Sequence, residues 1–293
     1  MDIFKKLDVI RRLILIASFA SLFFLIAGFL LLALATGASR SVWVILSFGL
    51  FIVSLVGIAI PVSRYKRLYG QNMLKSVLEN AFENVTYEPD RALSADVIEN
   101  TDMIMMGNSY ESAEYRTGVY RGISFTMADV TLKNLMQSGK RRASVIYFSG
   151  SWMVFRFPKA FSAYLQVKEK SFLNAQKPRG AHPDMNRALV GEENFTRFFK
   201  VYAESTADAE RFLTKELQDA ITALNYELRG DLMFYFCGNT LHIALHGKRA
   251  KYEPPILGKL YRDEVEDVLL ADCRAVSAFL DRILEFDNLF LDE

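Results

Sequence analysis

The sequence is poor in the side chains that most often carry chemistry. It holds two cysteines, Cys237 and Cys273, and three histidines, His182, His242 and His246. Two cysteines build no disulfide framework, and both read as small buried apolar residues. There is no Gly-x-Ser-x-Gly element, and neither cysteine has a histidine in a recognisable motif, so nucleophilic hydrolysis has no foothold. Gly118 and Gly122 lack the Lys-Ser/Thr partner of a phosphate loop; they mark a turn or a close backbone approach. His242 and His246 lie four apart in a predicted strand. They would stand about 13 Å apart on one face, too far to share a metal. His182 sits in a loop beside Pro183-Asp184. No catalytic residue, metal or cofactor is expected, and paired carboxylates such as Glu192-Glu193 name no site by themselves.

Excess charge is also missing. The net charge is +1, and residues 1–63 hold five basic and two acidic side chains, which leaves the remainder at −2. Nucleic-acid binding needs a clustered basic face and is excluded on that ground. Two stretches have no charge whatever, Leu13–Ser39 and Ser41–Ser63. Each exceeds the roughly 18–20 apolar residues that carry a helix across a bilayer. Only Thr36-Gly37-Ala38-Ser39-Arg40-Ser41 separates their apolar cores, so the two spans form a tight hairpin. The spans hold no ionisable residue, which argues against a transport or proton pathway. Ala27-Gly28 and Gly57 offer small packing residues.

Lys5, Lys6, Arg11 and Arg12 precede the first span, and Arg64, Lys66 and Arg67 follow the second; the turn holds Arg40 alone. Basic residues near membrane ends stay cytoplasmic. Both termini, and everything after residue 63, are therefore expected on the cytoplasmic side of the inner membrane. A signal peptide cleaved near Ala33-Leu34-Ala35 is the alternative, but its apolar region would be long and a second span follows at once.

Beyond the spans, Tyr65–Phe82 places Tyr69, Met73, Val77, Leu78, Ala81 and Phe82 at helical spacing, which predicts a stalk. Gly70 weakens it by about 1 kcal/mol against alanine. Pro89 closes that segment, and Ser94 can cap a short helix. From Asn108 the period becomes alternating. Ile123, Phe125 and Met127 mark one strand. Ala143–Phe148 and Trp152–Phe157, around Ser149-Gly150-Ser151, read as a hairpin or as one strand with a bulge at Gly150. Ala163–Val167 is a further strand, and Gln176–Asn194 is an irregular loop. Phe195–Tyr202 reads as a strand. Ser205 followed by Asp208 opens a helix in capping-box fashion, carrying Phe212, Leu213, Leu217, Ala220, Ile221 and Leu224. Leu232–Cys237 and Thr240–His246 flank Gly238-Asn239, a two-residue hairpin signal. A last helix is expected near Asp263–Phe286, with an acidic first turn. The division is 1–63 membrane hairpin, 64–90 helical stalk and 91–293 cytoplasmic domain, with a possible subdivision near 170–194. The fold class is α+β, mainly antiparallel sheet with flanking helices.

Three stretches resemble a known bacterial family. They are Gly118–Phe125, Ile146–Phe157 and Glu193–Ser205 followed by Ala209–Thr214. Together they are similar to the family catalogued as domain of unknown function three-one-three-seven. The resemblance implies an N-terminal membrane hairpin, a β-rich cytoplasmic domain and no assigned catalytic residue. One departure is Ala203-Glu204-Ser205-Thr206, where the family more often has an aspartate. Members are often encoded beside a membrane protein of the LemA type, which implies a complex.

The basic run Lys140, Arg141 and Arg142 is a candidate contact for anionic lipid, or else a solvated hairpin tip. Lys177, Arg179 and His182 are candidate polar contacts in the long loop. The expected function is an interaction module that binds a protein partner or lipid headgroups at the membrane. The alternative is a small-molecule sensor or enzyme with its ligand near the 176–194 loop.

Overall fold

The computed structural model describes residues 3–34, 40–138, 141–171, 185–228, 230–247, 256 and 262–291. The chain divides into two compact units, Met1–Ser76 with Glu253–Asp267, and Val77–Tyr252 with Val268–Glu293.

In the first unit, helices α1 (Ile3–Leu34) and α2 (Arg40–Tyr69) pack along each other. At 1.5 Å per residue each is about 45 Å long, more than a bilayer's hydrocarbon thickness. Both are long and apolar enough to cross a membrane. Gly28 lets the Phe48 ring approach, since a Cβ there would lie 3.2 Å from it. Phe29 meets the same ring edge-on at 5.6 Å. The Ser47 hydroxyl donates to the Phe24 carbonyl at 2.8 Å. Gly57, by contrast, faces open space. Phe19, Phe23 and Ile45 stand at least 66 % exposed, which in water would be costly and in lipid is not. Near the charged ends, Leu7, Ile14, Tyr65, Tyr69 and Met73 form a buried cluster. Where glycine was expected to weaken the stalk, Gly70–Leu74 winds as a π turn, before α3 (Lys75–Ala81).

Among the described residues, the second unit is built on one nine-stranded antiparallel sheet. Its strands are β1 (Glu83–Glu88), β2 (Ser109–Tyr120), β3 (Ile123–Ser138), β4 (Arg141–Arg156), β5 (Leu165–Glu169), β6 (Asn186–Ala188), β7 (Phe199–Ala203), β8 (Asp231–Cys237) and β9 (Thr240–His246). The spatial order is β1-β2-β3-β4-β9-β8-β5-β7-β6. The two groups of strands read from the sequence thus join through β4 and β9 into one sheet. The expected hairpin across Gly238-Asn239 is β8–β9.

Each face of the sheet is covered differently. One face carries α6 (Thr206–Phe212), α7 (Lys215–Leu228) and α8 (Arg262–Glu285). There Phe234 meets Phe279 with ring centroids 5.7 Å apart, and Phe212 meets Phe236 at 5.1 Å. The other face carries α4 (Ala95–Glu99) and the residues after it. Leu93, Ile98 and Met103 pack there on Phe148, Trp152, Met233 and Tyr235. Two side chains of β5 pin this cover, with Gln166 Nε2 donating to the Thr101 carbonyl and Lys168 Nζ to the Met103 carbonyl, both at 2.8 Å.

Five details differ from the sequence expectation. Asn186–Ala188, within the stretch read as an irregular loop, is the short strand β6. Glu83–Glu88 is an edge strand; Val85, Thr86 and Tyr87 suit a strand, but three β-prone residues between charges give a weak signal. Phe195–Tyr202 is not one strand: α5 (Glu193–Phe198) precedes β7. Phe195, Phe198 and Phe199 fit helical spacing as well as alternation, and Phe195 stacks on Phe199 at 4.8 Å. The Ser205 hydroxyl does accept from the Asp208 amide, but the helix behind it breaks at Leu213-Thr214 into α6 and α7. Lastly, Ala143–Phe157 is one strand to Arg156, and its bulge is not at Gly150. Leu132 pairs with Phe148 and Lys133 with Ile146, which leaves Tyr147 as the extra residue.

Candidate functional site

β3 and β4 are each 16 residues long, about three times the usual strand. Their neighbours are shorter. β2 pairs with β3 only up to Ser109↔Lys133, and β9 with β4 only up to Gly150↔His246. Asn134–Ser138 and Arg141–Val145 therefore pair with each other alone among the described strands. At about 3.4 Å per residue the ribbon runs roughly 17 Å past Lys133.

Both sides of the ribbon's base are clamped. On the β2 side, the Asn108 side chain acts as one more rung. Its amide donates to the Leu135 carbonyl at 2.9 Å and its oxygen accepts from the Leu135 amide at 2.7 Å. Gly107 makes this approach possible. It has φ +70° and a Cβ on it would lie 2.4 Å from the Lys133 oxygen. On the β9 side, Gly247 donates to the Ser149 carbonyl at 2.9 Å. The Ser149 amide donates to His246 Nδ1 at 3.1 Å. Burial holds the His246 pKa below its usual value, against the pull of Asp231, which keeps that nitrogen an acceptor. The bulge at Tyr147 adds local twist where the ribbon leaves the sheet.

Past the clamps each face of the ribbon carries two large apolar side chains among polar ones. Pairing puts Leu135 and Ile146 on one face and Met136 and Val145 on the other. All four are exposed, at 52 %, 48 %, 46 % and 44 % respectively. Strands with exposed apolar side chains invite association. The charge pattern is equally one-sided. No carboxylate occurs in the sequence between Asp129 and Glu169, a stretch that includes Lys133, Lys140, Arg141 and Arg142. Lys133 is engaged with Glu111 of β2.

Arg141 and Arg142 open β4 as backbone, but their side chains lie outside the described residues, as do Lys140, Lys177, Arg179 and His182. The apolar ribbon residues were not foreseen as a site. The signal available in the sequence was the long acid-free run and the length of the alternating segments.

Other polar features are structural. His242 is nine-tenths buried, and burial pushes its pKa down to about 4; its Nδ1 accepts from the Trp152 indole at 3.3 Å. His246 has different partners, so the two histidines do not converge. Among the described residues no cluster of three or more His, Cys, Asp and Glu is placed to hold a metal. Lys168 is pushed down to about 8, by burial first and then by Lys200 on β7. Burial pushes the Cys273 thiol up to about 12, so it is inert. Arg116 and Asp129 form a buried ion pair at 2.7 Å beside a bulge in which Glu114 has φ +59°. An open groove of about 440 Å³ lies between α7 and α8. Glu216, Asp219 and Glu227 outnumber Arg282 on its lining, so it disfavours a phosphate or carboxylate ligand.

Residues 146–286 match the model of the family described as "Protein of unknown function (DUF3137)". The match begins at Ile146, so it takes in the bulge, the His246 clamp and the whole β8–β9 hairpin, and leaves most of the ribbon ahead of it. No curated protein matches the chain. Among solved structures, the crystal structure of the mycobacterial trehalose monomycolate transport factor A, TtfA, aligns with a TM-score of 0.40 at 12 % identity, covering 73 % of this chain and 96 % of that one.

Proposed function

We propose that the protein is a membrane-anchored interaction module, not an enzyme, and that the β3–β4 ribbon is its contact surface. The observation that carries this reading is the set of four exposed large apolar side chains, two on each face, of a ribbon clamped at its base by Asn108 and His246. Folding alone gives no reason to extend two strands beyond every neighbour and leave four large apolar side chains in water. Helices α1 and α2 supply the anchor. The interacting group is a protein partner in the membrane, of which a LemA-type protein is one, or the lipid itself. The test is photo-crosslinking in living cells from a benzophenone amino acid at Leu135 and, separately, Ile146, with exposed Tyr226 as the control. Adducts from both ribbon positions and none from Tyr226 support the reading. Equal yields at all three positions would sink it.

We infer an inner-membrane location with both termini cytoplasmic, from the basic residues that flank the spans. Thiol labelling from outside intact cells should reach Arg40→Cys and miss Arg64→Cys. The reverse pattern would invert the orientation.

A further inference from the structure

We infer that the groove between α7 and α8 is a second docking site, and that its occupant is a basic amphipathic helix of a partner protein. This goes beyond the ribbon and does not depend on it. The groove lies wholly within the second unit, on helices that cover the sheet. Tyr226, the exposed control residue above, is not part of its lining.

The shape suits a helix. Leu224 and Phe279, both buried, and the half-buried Phe286 give the groove an apolar lining. Ala220 and Ala223 on α7, with Ala275 and Ala278 on α8, keep its walls low. Small side chains on two neighbouring helices let the ridge of a third sink between them. A volume of about 440 Å³ would also hold a small molecule, but pockets for small molecules enclose most of the ligand, and this groove is open. An open apolar groove is the form that receives the apolar face of an amphipathic helix. Charge then selects a basic one. Glu216, Asp219 and Glu227 line the α7 side, over about three turns or roughly 16 Å. On the α8 side Arg282 is already paired with Glu285 at 3.2 Å. Lys215, next to Glu216, is engaged with Glu192 at 2.7 Å. Among the described residues neither Asp219 nor Glu227 has a salt-bridge partner. Folding accounts for Glu216, since a carboxylate suits the first turn of a helix. It does not account for Glu227, which lies in the last turn of α7, where the carbonyl end of the helix repels a carboxylate. Lysine or arginine along one edge of the occupant supplies the missing countercharge, and leucine-sized side chains on its apolar face fill the groove.

The test uses the full-length chain in phosphatidylcholine nanodiscs. The probe is a helical peptide of leucine, alanine and lysine, about five turns long, with a benzophenone residue in its apolar stripe. Adduct sites are mapped by mass spectrometry. The expected result is adducts within residues 220–227 and 275–286. The triple variant Glu216→Gln, Asp219→Asn, Glu227→Gln should raise the half-saturating peptide concentration about eightfold, at roughly a factor of two per exposed ion pair. Ala278→Trp fills the groove and should abolish these adducts. Both variants change exposed side chains, and their melting temperatures confirm that they fold. A peptide with glutamate in place of lysine should give no adducts. Absence of adducts on α7 and α8, adducts that survive Ala278→Trp, an unchanged half-saturation in the triple variant, or equal crosslinking by the glutamate peptide each overturn the assignment. The variant Leu135→Ser with Ile146→Ser should crosslink as the wild type does. If it loses the adducts, the peptide sits on the ribbon, and the groove assignment falls while the ribbon's role stands. If the in-cell ribbon crosslinks fail while the groove adducts form, the ribbon reading falls and the groove assignment stands.

Discussion

Gly150 sits where β4 runs beside β9, and a methyl group there would lie 2.0 Å from the Leu245 carbonyl oxygen. That oxygen is backbone within a paired strand and has nowhere to go. Gly150→Ala should lower stability by about 3 kcal/mol through overpacking, read as a fall in the melting temperature of the full chain; an unchanged melt would contradict this. His242 gives a pH dependence of definite sign. Its native pKa, about 4, lies below the value near 6.5 expected of the unfolded chain. As pH falls below 6.5 the unfolded state takes up a proton that the buried ring refuses. Stability is then lost between about pH 6.5 and 4, by roughly 3 kcal/mol. The melting temperature of His242→Gln should fall less steeply over that window than that of the wild type. Parallel curves would contradict the assignment. At this scale the sequence was informative where a residue's own geometry decides. A methyl group at Gly118 would lie 2.6 Å from the Phe125 ring, Gly122 has φ +83°, and Ser205 caps its helix. It was silent about Arg116 and Asp129, which become partners only through strand register.

The elements were legible where one pattern dominates. β8–β9 and α8 follow from a two-residue turn and a long periodic helix. The errors fall where two periods compete, as in α5 and β7, or where a strand is short and charged, as in β1. The ribbon was readable as strand but not as a projection, because its exposure depends on where β2 and β9 stop. Register with non-local neighbours is not written in either strand. The same fact separates stability from function. Leu135→Ser with Ile146→Ser alters exposed side chains beyond the sheet core, so it should change stability by no more than about 0.5 kcal/mol. It should also remove the crosslinks formed from a benzophenone amino acid placed at the neighbouring Met136 or Val145. A large loss of melting temperature would mean that the ribbon is part of the core and not a contact surface.

The whole molecule combines two helices that suit a bilayer with a sheet of nine strands in which β4 and β9 join distant parts of the chain. The two apolar runs and the α+β class could be read directly, since hydropathy and period are local. That residues 91–168 and 195–246 share one sheet could not, since it rests on pairing across about 90 residues. The contact surface should become covered when the protein is in its membrane, while the sheet behind it does not change. Hydrogen exchange tests this most directly, comparing the full-length chain in native membranes with the same chain in a non-ionic detergent. Amides of residues 134–137 and 143–146 should exchange more slowly in membranes, while those of Ser151–Arg156 within β4 exchange alike in both. Equal exchange of the ribbon in the two settings would contradict its role as a contact surface.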